Sequence, residues 1–336
     1  MTSAPEMYST ERLLANAQQI ADEVLFPNAL EADIAGGVPK QQLQCIADGG
    51  FYGISTHCDA ATVAKIIETF ASGCLTTTFV FTQHLGAAAA AHHSDGAVRD
   101  ELAADMAAGR TRGGVAFAHM LRPGTPMTTI EPVEAGEGDW VLNGTAPWVT
   151  GWGHIDVVHA AARHGDDIVW ALIDASDSPT LQSTEVAFAV VDSSQTKVLD
   201  FQDHHVSASR ITKVENYAEW RTRYQLGLRT NGSLALGVAK RCCQLLGNGA
   251  LTEQLDTVRD RLDSIAPANS NAMSIARADA SLFAVKAATT LVATIGGTSV
   301  MMSEHAQRLM REAMFTMVQG QTPAIKTAML DQLATS

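Results

Sequence analysis

The spacing of apolar residues changes twice along this 336-residue chain, and that succession limits the fold more than any other feature. From residue 9 to about 110 the period is helical. Ser9 or Thr10 is read as the cap of a first helix with Glu11 in its opening turn, and Leu13, Ala17, Ile20 and Val24 recur until Pro27 stops it. Asp59 is read as the cap of a second helix carrying Val63, Ile66, Ile67 and Phe70. The stretch from Leu75 to about Ala91 is apolar nearly all round, which places it inside a bundle. Ser94 is read as the cap of a fourth helix, "DGAVRDELAADMAAG".

After Arg112 the pattern shortens and alternates. "MTTIEPVEA", "WVLNGTAPWV", "IDVVHAAA", "DIVWALIDA" and "EVAFAVVDS" read as strands between turn-formers such as "GEGD" and "HGDD", giving an antiparallel sheet or small barrel. From about Ala218 long helical periods return and continue to the end. The expectation is an α+β, mainly α chain: a helical domain over 1–111, a β domain over 112–216 and a helical bundle over 217–336. No repeat or low-complexity linker divides it, so the sheet is expected to pack on both helical parts.

A hydrophobic fraction of 46% is ample for a core. A net charge of −13 argues against broad binding to nucleic acid or an anionic membrane, which need a basic face. Five cysteines without CxxC spacing fit neither a disulfide framework nor a zinc site, and a reducing cytoplasm is the expected setting. The opening "MTSAPEMYSTERLL" has no basic segment followed by an apolar run, so no signal peptide is read. The longest uncharged run, "TFASGCLTTTFVFTQHLGAAAAAHHS", is interrupted by Thr, Ser, Gln and His, which fits a buried helix better than a membrane span.

Two tryptophans, two threonines and three glycines crowd into and around "NGTAPWVTGW", in a chain with only 6% aromatic residues. With its neighbours this stretch resembles the acyl-CoA dehydrogenases. The family's "G-x-x-x-W-I-T-N" segment corresponds to Gly144–Gly151. "TKVLDFQDHHVSASRI" is similar to the family's closing strand and "LRTNGSLALGVAKR" to the first helix of its C-terminal bundle. "ATIGGTSV" is similar to its "Q-I-L-G-G" turn, and "REAMFTMVQGQT" to its segment ending "Y-E-G-T". The resemblance implies three domains with FAD between them, an acyl-CoA or similar substrate, and a homodimer, homotetramer or hetero-oligomer with a homologous subunit. It puts Trp148 against the isoalloxazine ring and the Thr150 hydroxyl at flavin N5. Phe117, Ala118 and Thr125 fall on the flavin-holding loop, and Gly296 and Gly297 on the cofactor side of a turn. Taken without the resemblance, Trp148 and Trp152 read more readily as core aromatics of a β domain.

Several residues depart from the family pattern. Dehydrogenation of an acyl thioester needs a base for the α-proton. Gln319 occupies the position of the usual glutamate, and Leu228 the alternative one just before Arg229, which the resemblance sets near the reacting end of the substrate. His119 and His84 are the remaining candidates for a base. The loop Ala118–Pro126 differs from the family's, an "R-x-x-F-G" arm is missing, and Ala293 replaces the turn's glutamine, so the adenine end of the cofactor site looks weakened. Three functions stay open: an acyl-CoA dehydrogenase-type oxidoreductase with another base, a partner subunit that has lost chemistry, and a flavin-dependent monooxygenase.

Other features carry blander readings. "GRTRGG", Arg110 to Gly114, is either a phosphate-binding patch or a solvated domain junction. The pairs His92-His93 and His204-His205 lack companions at metal-ligand spacing, so no metal site is expected. Gly296-Gly297 is expected to break a helix and let backbones approach closely, and Cys242-Cys243 to be inert core residues.

Overall fold

The computed structural model describes residues 9–122, 124–134, 138–224, 227–266 and 269–335. Residues 1–8, where the signal-peptide reading begins, lie outside them, as do Pro123 of the loop and part of the "GEGD" turn.

The first helical section contains α1 (Thr10–Ile20), α2 (Ala29–Ile34), α3 (Lys40–Asp48), α4 (Ala60–Gly73) and α5 (Leu75–His93). Asp59 caps α4 by accepting from the Thr62 N–H at 2.7 Å, worth about 1 kcal/mol. Ser94 is a correction: its hydroxyl donates back to the Ala90 carbonyl at 2.6 Å, so it closes α5 instead of opening the next helix. The last section contains α6 (Tyr217–Tyr224), α7 (Leu228–Leu246), α8 (Gly249–Ser264), α9 (Ser270–Ile295), α10 (His305–Val318) and α11 (Pro323–Thr335).

These two sections share one hydrophobic core, which runs from Leu13 through Phe51, Ile66 and Phe70 to Leu234, Val238, Ala284 and Leu309. Helices α4 and α7 approach closely because Gly237 has no side chain: a Cβ there would stand 2.4 Å from the Glu68 carbonyl oxygen. Charged groups lock the same seam. Arg259 of α8 forks onto Glu68 of α4 at 2.7 and 3.1 Å, and Arg241 of α7 binds Asp22 and the Ser72 carbonyl, each at 2.6 Å. The segment Ser270–Val300 is long and apolar enough, by length and composition alone, to cross a membrane, with a mean hydropathy of 1.4. In the fold, Ala276, Ala280, Ala284 and Leu291 of α9 are buried in the shared core.

The middle section forms an eight-stranded sheet, β1 (Gly113–Ala116), β2 (Thr128–Pro132), β3 (Trp140–Val149), β4 (Val157–His164), β5 (Asp167–Asp174), β6 (Leu181–Glu185), β7 (Lys197–Val206) and β8 (Ile211–Asn216). The order is β6-β7-β3-β2-β4-β5-β8, with β1 on β4. The expected antiparallel sheet needs one correction, since β1 and β2 both pair with β4 in parallel. Its core is separate from the helical one and contains Leu142, Ala146, Val149, Leu199 and Phe201. Ala87, Ala88 and Ala91 of α5 pack on Val157 and Leu172, so α5 lies between sheet and bundle.

The expected strand "EVAFAVVDS" is a second correction. Only its first residue ends β6, and the rest is an irregular segment running into a short turn at Asp192–Ser194. Val190 and Val191 leave the sheet to join the helical core, and Val191 and Gln195 take left-handed backbone conformations that no regular strand accommodates. Arg311 of α10 reaches this segment at the Ala189 carbonyl, 3.2 Å, while also gripping Asp33 of α2. All three sections therefore meet at one side chain.

Candidate functional site

Trp148 sits where the register of β3 against β7 shifts between Ala146 and Val149. Its φ is +67°, a conformation costing an L residue roughly 1–2 kcal/mol, and its indole is 45% exposed beside Phe188 at 5.8 Å. A large apolar ring held outward in an unfavourable backbone is poorly explained by core packing. Gly144 is required by the same hairpin: its φ is +108°, and a Cβ would lie 2.1 Å from the Met127 carbonyl oxygen.

Thr150, whose hydroxyl the resemblance sets at flavin N5, is buried in the fold. It is 1% exposed, and its Oγ1 lies 2.8 Å from Thr196 Oγ1, which lies 2.8 Å from Ser194 Oγ. This buried chain of hydroxyls secures the end of β3 to the segment after Val191. Its other two members, Thr196 and Ser194, were not singled out in the sequence, because they lie more than forty residues away with no local signal.

Phe117, just beyond β1, packs edge-on against Trp220 and Tyr224 at 6.1 and 5.8 Å and near Trp170 at 5.9 Å. Ala118 and Thr125 are exposed on the loop that follows. Thr125, Arg122, Arg163 and Tyr217 line a cleft of about 20 Å³, room for a single water-sized group, with the Arg163 guanidinium 3.9 Å from the Tyr217 ring centroid.

Neither histidine proposed as a base is poised for that work. His119 is 3% exposed, its Nε2 is 2.7 Å from Thr128 Oγ1, and burial pushes its pKa down to about 4. Since the Thr128 hydroxyl donates its one proton to the Ala161 carbonyl at 2.9 Å, His119 Nε2–H is the donor and the ring is a neutral strut under the loop. His84 is 1% exposed and accepts from the Gly113 N–H at 3.0 Å, fastening β1 to α5, and burial pushes its pKa down to about 3.

Gln319 stands at the end of α10 and is half-buried. Arg277 of α9 donates to the Gln319 and Thr316 carbonyls at 3.3 and 3.1 Å, and to Gln319 Oε1 at 3.5 Å. Arg229 does not join this group through any hydrogen bond of its own: it pairs with Asp263 at 2.6 Å and Ser233 at 3.1 Å, an interhelix ion pair. Leu228 is buried. Tyr224, whose pKa burial raises, receives a hydrogen bond from Asn231, and Asn231 stands 3.1 Å from where a Cβ of Gly320 would be. Tyr224 and Asn231 thus stand between Phe117 and Gly320, the residue after Gln319.

No protein-family model matches the sequence, and no curated protein matches it. Solved structures do. The chain is similar to butyryl-CoA dehydrogenase from Megasphaera elsdenii, with a TM-score of 0.79 at 16% identity over 98% of each chain. It is similar to glutaryl-CoA dehydrogenase in complex with glutaryl-CoA, with a TM-score of 0.82 at 15% identity over 100% of this chain and 97% of the other. The chain has the acyl-CoA dehydrogenase fold. The same fold carries other chemistry: a dibenzothiophene monooxygenase from Paenibacillus sp. A11-2 matches with a TM-score of 0.75 at 16% identity over 95% of each chain.

On this acyl-CoA dehydrogenase fold, one further expectation is corrected. Gly296, with φ +78°, does end α9, but a Cβ at either Gly296 or Gly297 would meet nothing within 4 Å, so no backbone approaches there. Instead the turn is edged by the exposed side chains of Ile295, Val300, Met301 and Met302. In the "GRTRGG" stretch Arg110 pairs with Asp105, and Arg112 reaches Gln44 and lies 5.5 Å from the Tyr52 ring centroid, so both cations are engaged at the junction. His205 pairs with Asp139 and His204 with Thr180; among the described residues no cluster of three His, Cys, Asp or Glu side chains could hold a metal ion. Cys242 and Cys243 are buried, and burial raises both thiol pKa values.

Proposed function

We propose that this chain is a flavin-dependent oxidoreductase of the acyl-CoA dehydrogenase type that takes an acyl thioester, with its flavin against Trp148. The observation carrying this reading is the outward-held indole: 45% exposed, in a left-handed backbone, on a fold shared with a protein of Paenibacillus sp. A11-2 solved with FMN bound. A bound flavin, FAD in this proposal, would supply the acceptor for hydride or electrons. Trp148 and Phe188 supply a rigid apolar wall that excludes water from a planar ring. Arg122, Arg163 and Thr125 set cations and a hydroxyl around the adjoining cleft, which has room for one water-sized polar group. The Thr150 hydroxyl is committed to Thr196 and stiffens the wall from behind.

Proton removal from the substrate is not assigned to residue 319, since an amide has no basicity at neutral pH. That favours a second reading, a subunit that binds flavin but completes the site of a catalytic homologue. One experiment separates the readings. The purified chain is loaded with FAD or FMN, its visible spectrum recorded, and butyryl-CoA added without oxygen. A bound flavin that bleaches supports the dehydrogenase, and a bound flavin that does not supports the partner subunit. Oxygen uptake with reduced flavin would point to a monooxygenase, and a chain that retains no flavin overturns the proposal.

A further inference from the structure

Arg277 is the feature of the bundle that the reading above leaves unused. It is among the largest wholly buried side chains, at 1% exposure, and no described carboxylate pairs with it. Its partners are neutral: the Ser281 hydroxyl, the Thr316 and Gln319 carbonyls at the end of α10, and Gln319 Oε1. Burial holds its pKa down to about 10, yet it remains a cation at neutral pH. The negative end of the α10 dipole, concentrated on those last carbonyls, is its counter-charge.

The consequence lies in the orientation of the Gln319 amide. A guanidinium has only donors, so the group facing it must be the amide oxygen. The NH₂ then points away from Arg277, and among the described residues nothing accepts from it. Gln319 is half-buried at the seam where the end of α10 meets Asn231, near the start of α7, and the Tyr224–Phe117 pair.

We infer that Arg277 is a positioning residue that fixes Gln319 as a hydrogen-bond donor, and that the ligand presents an acceptor there, the carbonyl oxygen of an acyl thioester. This rests on the acyl-thioester reading of the preceding section for the ligand, but not for the orientation. The polarity is the reverse of a carboxylate base: residue 319 gives protons to a hydrogen bond and takes none away. A glutamate at 319 would fall into an ion pair with Arg277, which would hold it ionised and inward.

The test uses flavin-loaded protein and butyryl-CoA, with affinities measured calorimetrically for wild type, Q319L, Q319E and R277M. Loss of the donor in Q319L is expected to weaken binding about tenfold. Q319E sets an acceptor against an acceptor and is expected to weaken it more, by about a hundredfold. Q319E that binds as tightly as wild type overturns the inference. A second readout needs no ligand. Q319E gives buried Arg277 a carboxylate partner, so its melting temperature is expected to exceed wild type at pH 7. The folded-state pKa of that carboxylate is depressed, so the gain is present above its unfolded value of about 4.3 and lost as pH falls through the folded one. In an R277M background the gain should vanish, whereas a gain that persists there shows that Arg277 does not hold residue 319 and overturns the orientation. A wild-type protein that retains flavin but binds no butyryl-CoA removes the acyl-thioester substrate and the ligand half of the inference, while the melting pattern still decides the Arg277 half.

Discussion

Two arginines lie wholly inside this bundle, and they are solved in opposite ways. Arg308 pairs with Glu312 one turn along α10 at 2.5 Å, both side chains 1% exposed, so its charge is cancelled within the helix. Arg277 faces the end of the same helix and is answered only by carbonyls, a hydroxyl and an amide. The first arrangement is self-contained and serves packing; the second leaves a positive field next to residue 319, where the acyl-CoA dehydrogenase motif it resembles has a glutamate. A buried cation without a carboxylate is costly, and its position beside a half-open amide gives that cost a use.

The sharpest way to break this contrast is to remove the carboxylate from the paired arginine. Glu312→Gln would leave Arg308 buried and uncompensated, and is expected to cost about 3–5 kcal/mol in urea denaturation. Arg277→Met removes a charge together with its hydrogen bonds, so a smaller loss of about 1–3 kcal/mol is expected. Equal losses in the two variants would mean that the arginines do the same job. Trp148→Gly should act in the other direction, stabilising by about 1 kcal/mol or costing little, because glycine accepts φ +67° freely and the indole is only half-covered. A large destabilisation would return Trp148 to the core. The smallest effect concerns His305, whose Nδ1 lies 3.3 Å from the Arg308 guanidinium and whose pKa is pushed to about 4 by burial and then by Arg308. With the folded value depressed, its contribution is present above the unfolded value of about 6.5 and lost as pH falls towards 4. His305→Asn should flatten the stability profile slightly across that window, by an amount reduced because the ring is only half-buried.

The three-part architecture was legible because hydrophobic period is a local property: Leu13, Ala17 and Ile20 do line a core, and α5, apolar all round, lies between bundle and sheet. The segment Val186–Val191 misled because its β-rich composition is overridden by distant packing, with Val190 and Val191 drawn into the helical core. Trp148 stood out by its cost in a chain poor in aromatics, and the replacement at Gln319 by its departure from a motif. The partners of both were hidden. Thr196 and Arg277 meet Thr150 and Gln319 only through the fold, 46 and 42 residues apart. For Arg277 a faint signal existed, an arginine on the same helical face as the small buried residues Ser281 and Ala284.

The central claim is that a flavin lies on the Trp148 face, and its most direct test is the visible spectrum of wild-type and Trp148→Gly protein after loading with FAD and gel filtration. The account expects wild type to emerge yellow and the variant to emerge folded, at least as heat-stable as flavin-free wild type, and colourless. A colourless wild type, or a variant that retains flavin as well as wild type does, would contradict it.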